Sequence, residues 1–236
     1  MNSRKIVILA GALFGLLGAP AFASGPVVVE LFTSQSCPNS PKGDAILAQI
    51  ADRPNVIALS YPVSMWDWRG WEDTLAQPAF DQRQAYYTER LKTLSRYTPQ
   101  MVISGKTVVR ADNLADVDAS LGDPGLAVAD LSLAVNDGTY TAIVSASEPK
   151  ARLILAFYNP AIITVEVKTG RNAGQSLPYK NVVTQIKQLG VLGAGNQSIA
   201  FAVPDLGNDL ACVLMVQDAS SGAITSAVRC PSPDRK

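Results

Sequence analysis

The sequence predicts an α/β unit followed by an all-β unit, and three observations carry that prediction. From residue 26 to 122, β-branched runs alternate with segments of helical spacing. From 127 to 231, short apolar or alternating runs recur with turn residues between them. Between the two, "DPGLA" (Asp123–Ala127) interrupts both patterns and marks the boundary.

A leader precedes both units. "MNSRK" is a short basic start, "IVILAGALFGLLGA" an apolar core, and "AFA" (Ala21–Ala23) a small-x-small cleavage site. The expectation is a secretory signal peptide over 1–23, cut after Ala23, and a periplasmic or secreted mature chain. The apolar run is shorter than the ~20 residues a membrane anchor needs, so no membrane association is expected after cleavage.

"PVVVELFTS" (Pro26–Ser34) is a run suited to a strand buried on both faces. In "SPKGDAILAQIAD" the apolar positions Ala45, Ile46, Leu47, Ile50 and Ala51 fall at helical spacing, with Pro41 in the first turn where it is tolerated. "NVIALSYPV" (Asn55–Val63) is a second strand, and "WDWRGWEDTLAQ" a loop of aromatics and charges. Pro78–Leu94 reads as a helix opened by its proline. "YTPQMVISG" and "KTVVRAD" are short strands joined at Gly105-Lys106. Asn113–Gly122 is a helix with an Asn cap and a closing Gly. The order β-α-β-α-β-β-α, with one right-handed crossover and then a hairpin, is that of a minimal thioredoxin fold, whose active turn follows the first strand. Beyond the boundary, eight strand-like runs and an "NDG" hairpin turn at Asn136–Gly138 predict a sandwich-like all-β unit over 127–231.

Composition narrows the chemistry. The chain has 20 basic and 20 acidic residues, and losing Arg4 and Lys5 with the leader leaves a formal charge of about −2. Nothing basic is clustered, which argues against nucleic acid or an anionic membrane as partner. There is no histidine, so Ser-His and Cys-His catalysis and the commonest metal ligand are excluded. No cofactor and no metal are expected. The three cysteines are Cys37, Cys212 and Cys230, an odd count that suggests one bridge and one free thiol in an exported protein.

Several segments together carry a resemblance: "VVELFTSQSCPNSPKGDAIL", "WDWRGWEDTLAQPAFDQRQ", "YTPQMVISG" and "GRNAGQSL". Over nearly all the mature chain the sequence resembles the exported bacterial proteins grouped as domain of unknown function 1223. That resemblance implies a thioredoxin-like core, a β-rich C-terminal part and thiol redox work. Members typically carry C-x-x-C where this chain has Cys37 and Ser40. They also carry Y-H-x-x-Y-W-D where this chain reads "YPVSMWD", with Pro62 for the histidine and Met65 for the tyrosine.

The candidate residues follow. Cys37, expected at the first turn of a helix, would be favoured as thiolate by unpaired amides and the helix dipole, or else is a buried, inert cysteine. Ser40 cannot resolve a mixed disulfide, but its hydroxyl can donate to the Cys37 sulfur; alternatively the site is degenerate. Thr98-Pro99 precedes a strand where thioredoxin-like folds keep a cis proline against the active cysteine, and the resemblance implies that isomer here. Glu30, in the first strand, either relays a proton behind the thiol or pairs with a nearby Arg. Trp66, Trp68 and Trp71 either wall the thiol and grip an extended polypeptide or plug the interface to the β unit. Asp67 and Arg69 are expected to be salt-linked loop residues, Asp67 with a supporting role at most. Cys212 and Cys230 are expected to form a structural disulfide.

The function expected is exchange through one thiol: a mixed disulfide at Cys37 with protein thiols or disulfides, isomerase-like in character. The alternative is a binding module that holds a polypeptide or partner without turnover. A thiol peroxidase fits poorly, because Glu30 stands where its motif needs proline. A copper carrier lacks the second cysteine and the histidine.

Overall fold

The computed structural model describes residues 25–122, 129–136, 139–146, 150–202 and 210–231. The leader with its cleavage site, the "DPGLA" boundary and the Asp137-Gly138 turn lie outside the described residues.

The first half runs β1 (Val27–Thr33), α1 (Ser40–Ala51), β2 (Val56–Pro62), a single 3-10 turn at Asp67–Arg69, α2 (Pro78–Arg90), β3 (Gln100–Ile103), β4 (Thr107–Arg110) and α3 (Leu114–Leu121). β1 pairs parallel with β2, as one crossover requires, and antiparallel with β3; β3 pairs antiparallel with β4. The local signals act as expected. Pro41 lies in the first turn of α1, Pro78 in that of α2, and the Asn113 side chain caps α3 by accepting from the Ala115 N–H at 3.0 Å. α2 stops at Arg90 rather than Leu94, because Lys92 takes a left-handed φ of 52° that a helix cannot continue through.

The second half comprises β5 (Ala129–Asn136), β6 (Thr139–Ala146), β7 (Ala151–Glu166), β8 (Ser176–Leu192), β9 (Gly195–Ala202), β10 (Ala211–Asp218) and β11 (Ile224–Arg229). Two runs that read as separate strands, "ARLILAFYN" and the start of "TVEVKTG" (Thr164–Glu166), belong to the single strand β7. Pro160 falls between them, where it has no N–H to give the ladder, and the pairing with β8 shifts register between Asn159 and Ile162 instead of ending.

The sequence offered no strand pair between the two halves, and the structure has one. β8 joins β2 in parallel at Ser60↔Val182, and the Asn181 side chain donates to the Ala58 carbonyl at 2.9 Å. The result is one mixed eight-stranded sheet, β11-β10-β7-β8-β2-β1-β3-β4, beside a three-stranded antiparallel sheet, β5-β6-β9.

Alternation along the strands assigns the faces. Val28 and Phe32 of β1 share a core with Phe80 and Tyr87 of α2 and with Ile154, Tyr158, Val213 and Met215 of β7 and β10. α2 therefore seals one face across both halves. On the other face Val29 and Leu31 pack against Leu47 and Ile50 of α1, while Leu153, Leu155 and Leu214 pack against Ala142 and Val144 of the small sheet. The sandwich-like packing of the second half is thus between the small sheet and the extension of the large one. Cys212 and Cys230 form a disulfide across β10 and the end of β11, with Cα atoms 5.2 Å apart. Among the described residues no helix is long and apolar enough to cross a membrane.

Candidate functional site

β1 ends at Thr33, and the chain turns through Ser34–Asn39 before α1 begins at Ser40. Cys37 therefore sits three residues ahead of the helix and not in its first turn. Backbone bonds from Cys37 N–H to the Ser34 carbonyl (3.1 Å) and from Ser40 N–H to the Cys37 carbonyl (3.2 Å) close the turn. Cys37 is the free cysteine of the chain and only 4 % exposed, with Pro38 and Asn39 exposed beside it. Its thiol donates to the Thr98 carbonyl at 3.4 Å.

Thr98-Pro99 is cis, the isomer the resemblance implied. Both residues are buried, and Pro99 lies against α1 at Gly43. A Cβ on Gly43 would stand 2.6 Å from Pro99 Cβ and 3.2 Å from Ala111 Cβ, so only glycine permits this approach. Trp66 Nε1 donates to Thr98 Oγ1 at 2.8 Å, fixing the residue that receives the thiol.

Ser40 is placed differently from expectation. Its hydroxyl oxygen accepts the Ser34 N–H at 3.1 Å, so it serves the turn's backbone, and no hydrogen bond joins it to the Cys37 sulfur. Glu30 follows the pairing alternative: Arg83 donates to its two carboxylate oxygens, Nε at 2.5 Å and Nη2 at 2.9 Å, and the Tyr87 hydroxyl donates to Oε2. Asp67 and Arg69 are not paired with each other. Asp67 Oδ1 accepts the Asp73 N–H at 3.1 Å, and the Arg69 guanidinium stacks 3.7 Å above the Trp66 ring and 5.0 Å from that of Trp68. Burial raises the Asp67 carboxyl above its ordinary range.

The three tryptophans divide their work. Trp71 packs with Val167, Leu177 and Tyr179 of the β7–β8 hairpin and so plugs the interface. Trp66 braces Thr98. Trp68 is 75 % exposed beside them, its Nε1 donating to the Met65 carbonyl at 3.1 Å.

Sequence reasoning missed a second ring of residues around the turn. Gln35 is held from two sides: its N–H donates to Asp73 Oδ2 at 2.8 Å, and its Oε1 accepts from Trp71 Nε1 at 2.7 Å and from Thr74 N–H at 3.2 Å. Asn172, from the β7–β8 loop, donates to the Gln35 and Cys37 carbonyls at 2.8 and 3.0 Å. Asp44 of α1 accepts the Thr33 hydroxyl at 3.0 Å through Oδ2, while its Oδ1 has no partner; the buried Tyr179 hydroxyl has none either. Burial raises the Asp44 carboxyl well above its usual range, against the Thr33 bond and with help from Asp73. Burial pushes Asp73 up to about 6, against the amides of Gln35 and Leu75 that favour its anion. Burial, then the charges of Asp44, Asp73 and Cys37, raise Tyr179. The only sequence signal for any of these was "GRNAG", in which Asn172 is bracketed by turn glycines.

Among the described residues no group of three or more Cys, Asp or Glu could hold a metal ion. What the arrangement offers is one thiol, aimed at the Thr98 carbonyl, in a turn whose neighbouring residues Thr33 and Gln35 bond two carboxyls of raised pKa, Asp44 and Asp73.

The model of the protein family of unknown function DUF1223 matches residues 28–217. The chain belongs to that family. Two solved structures resemble this DUF1223 protein over most of its length. One is a structural-genomics crystal structure of an Agrobacterium tumefaciens protein, 24% identical, covering 92% of this chain and 98% of that one with a TM-score of 0.75. The other is HBP35 of Porphyromonas gingivalis, 15% identical, covering 90% and 79% with a TM-score of 0.62. At these identities the likeness is one of fold. No curated protein matches the sequence.

Proposed function

We propose that this DUF1223 protein is an exported, thioredoxin-like, single-cysteine thiol–disulfide exchange protein acting at Cys37. The observation that carries the reading is the 3.4 Å contact of the Cys37 thiol with the Thr98 carbonyl, in a turn that follows the first strand and faces the Thr98-Pro99 segment. The β-α-β-α-β-β-α order supports a thioredoxin-like first half, and the leader supports export. The chemistry is redox-neutral in each half. The Cys37 thiolate attacks one sulfur of a client disulfide; that S–S bond breaks, a Cys37–client bond forms, and the released client sulfur leaves as thiolate and takes up the proton Cys37 gave. A client thiolate then attacks the mixed disulfide and returns Cys37 as thiol. When it belongs to the same client, the outcome is isomerisation. With serine at position 40 the protein cannot resolve the intermediate itself, so it neither oxidises nor reduces a client alone.

A second reading, binding of an extended polypeptide without turnover, is favoured by the 4 % exposure of Cys37 and by the engagement of the Ser40 hydroxyl with Ser34. Incubating the mature protein with a scrambled-disulfide reporter, and mapping adducts by mass spectrometry, separates the two. Exchange gives an adduct on Cys37, absent in Cys37→Ala, and Ser40→Cys adds dithiol-driven insulin reduction. If neither appears while Cys37→Ala binds unfolded reporter as tightly as the parent, binding without turnover is the function.

A further inference from the structure

The element that holds the Cys37 turn in place comes from the other half of the chain. β7 and β8 continue past Pro160, and their loop lands on the turn. Its tip is internally braced: Val167 N–H donates to the Gln175 carbonyl (3.0 Å), Gly174 N–H to that of Val167 (2.8 Å) and Gln175 N–H to that of Asn172 (3.0 Å). It is also docked at two further points. Thr169 Oγ1 donates to the Gly70 carbonyl at 2.6 Å. Gly170, at φ +77°, lies so close to the tryptophan loop that a Cβ there would stand 3.1 Å from Trp71 Cβ. From this tip Asn172, 1 % exposed, reaches the turn.

Both of its acceptors are carbonyls, so the amide nitrogen must face them and both of its hydrogens are used. The Cys37 carbonyl also receives the Ser40 N–H. The Gln35 carbonyl has Asn172 as its donor within a buried turn. If Asn172 withdraws, a buried acceptor is left unpaired, and the turn regains its bond most cheaply by opening to water. Opening is what a thiol only 4 % exposed needs in order to meet a protein disulfide.

We infer that the tip of the β7–β8 hairpin is a clasp on the Cys37 turn, with Asn172 as the positioning residue that sets how often the thiol becomes accessible. The biological consequence rests on the exchange reading of Cys37; the clasp itself does not. Any partner that pulled on this hairpin would raise the reactivity of Cys37 without touching the sulfur.

The test is the alkylation rate of Cys37 by iodoacetamide in the folded mature protein, followed by mass spectrometry at several urea concentrations below the unfolding transition. Asn172→Ala is expected to react at least tenfold faster than the parent, with a rate insensitive to that urea, as local opening requires. Thr169→Val, which loses only the bond to Gly70, should stay within threefold of the parent. Asn172→Asp keeps the shape but offers the two carbonyls no donor when ionised, and should match Asn172→Ala at pH 8; it carries the test if the alanine variant does not fold. A parental rate from the folded variant, or an increase that rises with urea alongside global unfolding, overturns the clasp. Because iodoacetamide needs no client disulfide, failure of the exchange reading shows separately, as the absence of a reporter adduct from a thiol that alkylates.

Discussion

Two buried carboxylates lie on opposite faces of the same sheet, and they are treated in opposite ways. Glu30 faces α2, where Arg83 donates to both of its oxygens and the Tyr87 hydroxyl to one of them. Tyr87 in turn accepts from Gln217 of β10 at 3.0 Å, and Gln217 donates to the Gly222 carbonyl at 2.6 Å, so the network ties the first half to the second. Asp44 faces the sheet from the α1 side with one hydroxyl on Oδ2, an unpartnered Oδ1, and a second carboxyl, Asp73, close enough to raise its pKa further. A carboxylate given a cation is a structural tie. One left without a cation has its pKa raised by burial.

The largest effect should come from breaking the tie. Glu30→Ala leaves the Arg83 guanidinium buried without its counter-charge, a change that costs about 3–5 kcal/mol in comparable buried pairs. Urea denaturation of the variant should show that loss. Replacing both partners, Glu30→Leu with Arg83→Met, should recover most of it, because no charge is then stranded. A Glu30→Ala protein as stable as the parent would mean the network is not what joins the halves.

A smaller effect, one that depends on pH, belongs to Asp73. Its folded-state pKa is pushed up to about 6 from an ordinary 3.8. Between those values the folded chain holds a proton that the unfolded chain has released. Its contribution is therefore fully present below about pH 3.8 and fades as pH rises through 6. The shift corresponds to roughly 2–3 kcal/mol. In urea titrations from pH 4 to 7, Asp73→Asn should remove that decline, so the stability difference between parent and variant changes with pH and levels off above 7. A pH-independent difference would place Asp73 among ordinary ionised loop residues.

Legibility in the sequence followed the range of the interactions. Helix caps and turn prolines act locally, and Asn113, Pro41 and Pro78 stand where the pattern put them. Cys37 and Thr98-Pro99 were visible because strand, turn and proline carry their own signatures, and the fold brings them together. Contacts set by distant register were not visible. Nothing in "NVIALSYPV" or "NVVTQIKQLG" announces that β2 and β8 will pair, since runs buried on both faces look alike whichever neighbour they take. The same holds for the Gln35–Asp73 and Asn172–Cys37 bonds, which span 38 and 135 residues. Ser40 misled for a related reason. Its position suggested a partner for the thiol, but the hydroxyl at the start of α1 accepts the Ser34 N–H, six residues back, instead.

The Asp44 variant sharpens the comparison most, because its sign is the reverse of the Glu30 result. Asp44→Asn removes a carboxyl that burial already disfavours as an anion. The amide oxygen can still accept the Thr33 hydroxyl, and its nitrogen gains an acceptor if it meets the Tyr179 oxygen, which has no partner of its own. At pH 8, where ionising Asp44 in its buried site is disfavoured, the variant should be more stable than the parent, the direction that a carboxyl of raised pKa requires. Near pH 4 the parent's Asp44 is protonated and neutral like the amide, and the difference should vanish. Measuring urea midpoints at both pH values decides it. A variant that is less stable at pH 8 would mean that Asp44 is ionised and well served by its surroundings. In that case the two carboxylates are not the opposites their contacts make them.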